Sequence, residues 1–141
     1  MAMTMHVDIV SAEAEIYSGP ATMLFAPAVM GDVGILPRHA PLLTKIKPGE
    51  VRVVTSGDNE QIYFVSGGML EIQPSGVTIL ADTALRAESI DEAAALAAKE
   101  RAEKVIADRK GEVDYATAEA ELAEAIAKLQ MIKRIKKKLG R

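Results

Sequence analysis

His6 and His39 are the whole imidazole complement of this 141-residue chain, and cysteine is absent. A chain without cysteine has no disulfide framework, no thiolate metal site and no cysteine nucleophile, and it fits a reducing compartment. Two imidazoles are too few for most histidine-based metal centres. No Gly-x-x-x-x-Gly-Lys phosphate loop and no Gly-x-Gly-x-x-Gly fingerprint occurs, and no serine stands in a Gly-x-Ser-x-Gly elbow. The acidic residues of the second half fall on helical faces, where their work is solvation. Ser66-Gly67-Gly68 lies between two strand-like runs, so a bulge or tight corner explains it better than a phosphate nest. The residue inventory points away from an enzyme and implies no cofactor and no metal.

Two stretches remain whose composition suits contact with another macromolecule. Gly31-Asp32-Val33-Gly34-Ile35-Leu36-Pro37-Arg38-His39-Ala40-Pro41-Leu42 is the most individual. Gly31 and Gly34 permit positive φ, and Pro37 and Pro41 fix the path. Such a segment is either a plain inter-strand connection or a stiff loop presenting Asp32, Arg38 and His39 to a partner. The second stretch is the C-terminal end. Lys133, Arg134, Lys136, Lys137, Lys138 and Arg141 are six bases in nine residues with no acid, whereas the preceding 132 residues carry 11 bases against 20 acids, a balance of −9. Lysines at a helix C-terminus complement its dipole and aid solubility. Six exceed that need, and an acidic protein surface is the alternative target. An acidic body is no nucleic-acid surface.

The elements that must carry these stretches differ between the two halves. All six prolines lie at or before Pro74, and fourteen alanines lie from Ala87 onward. In the first half, Met5, Val7 and Ile9 alternate with His6 and Asp8, the period of a half-buried strand. Short apolar runs follow at 21–26 and 42–46. A meander comes next, over 50–55, 61–66, 68–73 and 77–81, with turns at Ser56-Gly57-Asp58-Asn59 and Pro74-Ser75-Gly76. This spacing predicts a small antiparallel β-sandwich or barrel over residues 1–86. In the second half, Ser89 and Glu92 match a capping box. They predict a helix to about Arg109 or Lys110, closed by Gly111. Asp114 is the expected cap of a second helix. Its apolar seam runs Tyr115, Ala118, Leu122, Ala125, Leu129, Ile132, a coiled-coil spacing. About four residues between the helices predict an antiparallel hairpin over 87–141. The fold class is α+β.

Alanine favours helix but buries little area, so these helices form readily and dock weakly. A hairpin held by a few kcal/mol suits a switch that a partner can open; a static hairpin packed on the sandwich is the plainer alternative. Fully extended, about 50 helical residues reach about 75 Å. The longest apolar run of the first half, 23–30, is eight residues and contains Pro27, far short of the roughly 20 needed to span a bilayer. The N-terminus lacks the pattern of a secretory signal or a transit peptide. The expectation is a cytosolic protein without membrane insertion.

Taken together, the opening Met3-Thr4-Met5-His6-Val7-Asp8-Ile9-Val10-Ser11-Ala12-Glu13, the 31–42 segment, Val65-Ser66-Gly67-Gly68-Met69-Leu70-Glu71-Ile72-Gln73-Pro74 and Val77-Thr78-Ile79-Leu80-Ala81-Asp82-Thr83-Ala84 resemble the epsilon subunits of bacterial ATP synthase. The resemblance covers nearly the whole chain. It implies a non-catalytic rotor subunit of the central stalk, peripheral at the cytoplasmic face of the bacterial plasma membrane. The sandwich would bind the gamma subunit and the c-ring, coupling proton flow to ATP synthesis. The hairpin would extend into the catalytic head, meet the alpha and beta subunits and inhibit ATP hydrolysis. The family's ring-facing loop maps onto Gly31, Asp32, Val33, Gly34, Ile35, Arg38 and His39. The usual family pattern is Gly-Glu-Leu-Gly-Ile, then often Pro-Gly-His; here Arg38 stands in place of glycine. The family's basic contacts to acidic beta-subunit loops map onto Lys133, Arg134, Lys136, Lys137 and Lys138.

Some relatives bind ATP in the folded hairpin through Ile/Leu-Asp-x-x-Arg-Ala and further arginines. This chain keeps Ile90, Asp91 and Arg101, but has Ala94 at the arginine and Glu124 and Lys128 where ATP-binding relatives carry arginine. Losing phosphate partners predicts weak or absent nucleotide binding. An ATP-sensing module is therefore the rival reading, with Ile90, Asp91, Arg101 and Lys128 as its residual candidates. A chaperone-like adaptor that holds clients between its helices is a further rival.

Overall fold

Alternation in the opening residues becomes strand β1, Met5–Ser11, with Val7 and Ile9 fully buried and His6 and Asp8 on the opposite face. The computed structural model describes residues 3–108 and 112–138; side chains are described within that range except at 108 and 112–115. By internal contacts the chain divides into two compact units, Met1–Ala87 and Glu88–Arg141.

The first unit is one ten-stranded sheet folded on itself. After β1 come β2 (Glu15–Ala21), β3 (Met23–Ala28), β4 (Gly31–Ile35), β5 (Leu42–Ile46), β6 (Gly49–Thr55), β7 (Asn59–Val65), β8 (Gly68–Gln73), β9 (Gly76–Ala81) and β10 (Ala84–Arg86). Their order is β10-β7-β6-β3-β5-β8-β9-β1-β2, with β4 paired to β3. The sheet is antiparallel except at β1 and β9, which run parallel from Val7↔Val77 to Ser11↔Ala81. The architecture is the expected antiparallel sandwich, and its parallel pairing arises where β1 lies beside the end of the meander. The inner faces meet in a core of Val, Ile, Leu and Ala with one aromatic, Tyr63. Tyr63 is buried because its hydroxyl donates to Gln61 Oε1 at 2.6 Å, leaving no stranded polar group.

Three strands of this unit have no counterpart in the apolar runs. The run at 21–26 divides at Thr22, whose amide and hydroxyl both bond to the Val54 carbonyl, so that β2 and β3 are separate strands. The segment 31–35, expected as a loop, is β4. β10 is only three residues long. The corner at Ser66-Gly67-Gly68 is bound internally: Ser66 and Asp82 amides donate to the Thr83 and Gly67 carbonyls at 3.0 and 2.9 Å. Gly68 sits at φ 139°, and a Cβ there would collide with the Leu80 carbonyl oxygen. Backbone proximity accounts for Gly68, and a positive φ of 123° accounts for Gly67.

The second unit begins with a 3-10 turn, Ala87–Ser89, followed by α1 (Glu92–Asp108) and α2 (Glu112–Lys138). Asp91, not Ser89, caps α1. Its Oδ1 accepts the Ala94 amide at 3.1 Å and its carbonyl accepts the Ala95 amide at 3.0 Å. The capping-box match loses to an aspartate two residues closer to the first helical turn. Helix α2 starts at Glu112, so Asp114 lies inside the helix rather than before it. The proposed cap Gly111 lies outside the described residues, and the Tyr115 side chain lies outside those described.

The hairpin seam is alanine-rich as expected. Ala95 and Ala102 on α1, and Ala118, Ala125 and Met131 on α2, are buried. Leu122, Leu129 and Ile132 of the expected stripe are half-buried. Lys136 near the end of α2 pairs with Glu92 at the start of α1, so the helices run antiparallel. The same pair sets a register in which Ala102 lies level with residue 126, beside Ala125.

Candidate functional site

The individual segment 31–42 is built from two different local structures. Residues 31–35 pair with β3 in the register Leu24↔Ile35 to Ala28↔Gly31. Strand alternation then divides them. Ile35 is fully buried, Val33 packs against the core, and Asp32 and Gly34 lie on the outer face. The Phe25 ring covers Gly34, 3.4 Å from where a Cβ would sit, and the Arg52 guanidinium stacks 4.1 Å above that ring. The tip between β3 and β4 is apolar and open, with Met30 95% exposed and Val29 53%. Five residues of strand span roughly 13 Å, so Gly31 and Asp32 lie at one end of β4 and the 36–41 connection at the other.

That connection opens with a turn. The His39 amide donates to the Leu36 carbonyl at 3.1 Å, with Pro37 and Arg38 as the central pair. Arg38 stands at φ 69°. Proline followed by a residue of positive φ is the type II turn pattern, which favours glycine at the second central position. The His39 Nδ1 donates to the Ala40 carbonyl at 2.7 Å, fixing the ring over its own backbone. Residues 35–41, 3–6 and 72–77 together line an open cleft of about 600 Å³. Of the seven residues mapped to the ring-facing loop, the cleft gathers Ile35, Arg38 and His39; Gly31 and Asp32 stand apart from it.

One polar constellation escaped the sequence reading. Asp8 Oδ1 accepts the Ser18 hydroxyl at 2.7 Å and the His6 Nε2 at 3.1 Å, while Ser18 Oγ and His6 Nε2 are 3.4 Å apart. The residue types are those of a hydrolase triad. The geometry is not, because serine and histidine converge on one carboxylate oxygen and the serine proton points at Asp8. The Ser18 hydrogen bond is the main reason the Asp8 carboxyl titrates below its ordinary range; partial burial opposes the shift and His6 adds to it. Alternation alone placed His6 and Asp8 on one face, but Ser18 joins them only through the Asp8↔Ser18 register. Among the described residues no group of His, Asp or Glu could hold a metal ion.

In the hairpin unit the four nucleotide candidates do not share one environment. Asp91 uses its carboxylate as the α1 cap, and Lys128 pairs with Glu124 at 3.2 Å, one helical turn away. Ile90 is half-buried and Arg101 exposed. Arg101 lies ten residues beyond Asp91, about 15 Å along the helix axis. The basic end of α2 is coherent by contrast. Lys133, Arg134, Lys136, Lys137 and Lys138 are all exposed. At about 100° per residue, Lys133 and Lys137 form one stripe, Arg134 and Lys138 the next, and Lys136 turns back by about 60°. There its Nζ meets Glu92 Oε2 at 2.9 Å.

Two family models match the chain. One, described as the beta-sandwich domain of the ATP synthase delta/epsilon chain, covers residues 4–87. The other, the long alpha-helix domain of the same chain, covers residues 88–133. The ATP synthase epsilon chain of Nitrosococcus oceani is 67% identical over 140 residues, spanning 99% of this chain and 100% of that protein. That of Halorhodospira halophila is 57% identical over 139 residues, spanning 98% and 99%. A chain in the cryo-EM structure of the Euglena gracilis mitochondrial ATP synthase, 21% identical, has the same fold with a TM-score of 0.79 over 88% of this chain and 78% of that one.

Proposed function

The chain belongs to the ATP synthase delta/epsilon family, as a non-catalytic epsilon subunit, and from that premise we propose that it works in the central stalk with a divided task. The sandwich anchors the chain to the gamma subunit and the c-ring. The ring-facing part is the end of β4 carrying Gly31 and Asp32 together with the Arg38–His39 turn. The hairpin restrains ATP hydrolysis by extending toward the alpha and beta subunits. The complex would hold the chain peripherally at the cytoplasmic face of the bacterial plasma membrane. No helix among the described residues is long and apolar enough to cross a membrane.

The observation that carries the inhibitory part is the end of α2, where five exposed cations stand within six residues. Acidic loops of the beta subunits are the complementary surface. A nucleotide-sensing role draws no support from the candidates' geometry, since Asp91 is committed to capping and Lys128 to Glu124.

The test is ATP hydrolysis by a catalytic head lacking its epsilon subunit, titrated with the full chain and with a truncation ending at Glu88. Inhibition by the full chain, with binding but little inhibition by the truncation, is the expected result. Binding by both with inhibition by neither would leave the hairpin passive. Binding by neither would remove the central-stalk assignment.

A further inference from the structure

We propose that the Glu92–Lys136 ion pair is a latch that holds the hairpin folded and keeps Lys136 out of the inhibitory contact. The proposal rests on the inhibitory reading of the hairpin given above. Glu92 lies in the first turn of α1 and Lys136 in the last turn of α2. The antiparallel arrangement brings one helix's N-terminus beside the other's C-terminus. Each charge is also the sign its own helix end favours. Forming the pair therefore asks neither residue to occupy a place its helix resists.

The pair is specific to one state. Lys136 Nζ lies 2.9 Å from Glu92 Oε2 in the folded hairpin. The two residues are 44 apart in sequence, so in a continuous extended rod they would be about 66 Å apart along the axis. A contact made in one state and absent in the other is what biases a two-state element. The dipole interaction of Glu92 with α1 persists in both states and cancels. Lys136 is also one of the five cations assigned to the beta-subunit contact, and its ammonium cannot pair closely with Glu92 and with a distant loop together. Folding thus subtracts one charge from the inhibitory set, and opening returns it. The seam beneath the latch is mostly alanine, so a single exposed pair weighs more here than on a hairpin with a large apolar interface.

The experiment uses the whole chain in assembled ATP synthase. Cysteines introduced at the exposed positions Ala97 and Gln130 carry spin labels; the natural chain has no other cysteine. In the folded register the two labels lie nearly level on the outer faces of adjacent helices, and in a rod they lie about 50 Å apart. Glu92→Gln is expected to raise the ratio of long to short distances about 1.5- to 5-fold, the range for exposed ion pairs. The exchanged pair, Glu92→Lys with Lys136→Glu, should return the ratio toward that of the natural chain. A distribution unchanged by Glu92→Gln and by Glu92→Lys, including one that stays wholly short, overturns the latch. ATP hydrolysis measured on the same samples separates this from the parent reading. If Glu92→Gln opens the hairpin without deepening inhibition, the latch stands and the inhibitory reading falls. If the natural chain inhibits while the distances do not move, the latch alone falls.

Discussion

Residue 38 is where a single side chain meets a backbone rule. The turn Leu36-Pro37-Arg38-His39 closes through the His39 amide and the Leu36 carbonyl, with Arg38 at φ 69°. An L-residue with a Cβ resists that region by about 1–2 kcal/mol. Glycine does not, although its extra freedom in the unfolded chain returns about 0.4–1 kcal/mol of that difference. Arg38→Gly is therefore expected to stabilise the sandwich by roughly 0.5–1 kcal/mol, read as a higher urea midpoint at unchanged slope. A lower midpoint would mean that the arginine makes contacts worth more than its backbone strain. The residue scale also marks what sequence could and could not supply. The family pattern has glycine at this turn, so the departure at Arg38 was visible, but its physical cost required the φ angle. Ser89-x-x-Glu92 was an equally visible capping pattern, and Asp91 took the cap because the 3-10 turn at Ala87–Ser89 delays the helix start. Two capping candidates only two residues apart cannot be ranked until the path of the preceding chain is known.

At the scale of elements, the strands that were legible are those rich in β-branched, aromatic and other apolar residues: β1, β3, β5, β6, β7, β8 and β9. β4 was not, because Gly31, Asp32 and Gly34 are poor strand formers. It is a strand by virtue of β3, which offers Ala28, Ala26 and Leu24 as partners in a tight hairpin, and the Phe25 ring fills the space above Gly34. β2 hid for a similar reason: Gly19 and Pro20 are poor strand formers, yet an edge strand tolerates proline. The helical seam was legible because period is a strong signal, and its alanines make a sharp prediction. Ala125 is 2% exposed between the helices. Ala125→Leu would force three further heavy atoms into that seam, at a cost of about 1–3 kcal/mol in docking. Leucine is nearly as good a helix former as alanine, so far-UV circular dichroism should hold while proteolysis between α1 and α2 quickens. Loss of helical signal in step with proteolysis would show instead that the helices depend on docking to form.

For the whole molecule, function was legible only through family resemblance. Composition excluded several chemistries and supplied no partner, because a subunit that acts by contact carries no reactive motif to find. What composition did show is charge asymmetry: a balance of −9 over the first 132 residues against six bases in the last nine. Five of those bases lie within the described end of α2; Arg141 lies outside the described residues. If the proposed inhibition is electrostatic, it should depend on those five and on ionic strength. Replacing Lys133, Arg134, Lys136, Lys137 and Lys138 with alanine keeps helix propensity high and leaves the sandwich untouched. Inhibition of ATP hydrolysis should then fall several-fold, while binding to gamma, assigned to the sandwich, stays the same. The natural chain's inhibition should also weaken between 50 and 300 mM salt, as screening shortens to below about 10 Å, and the variant's residual inhibition should not. A variant that inhibits as strongly as the natural chain would show that the hairpin acts by occupying space. In that case the Glu92–Lys136 pair could still bias the hairpin, because it needs only the geometry of the folded state and not the charge of the target.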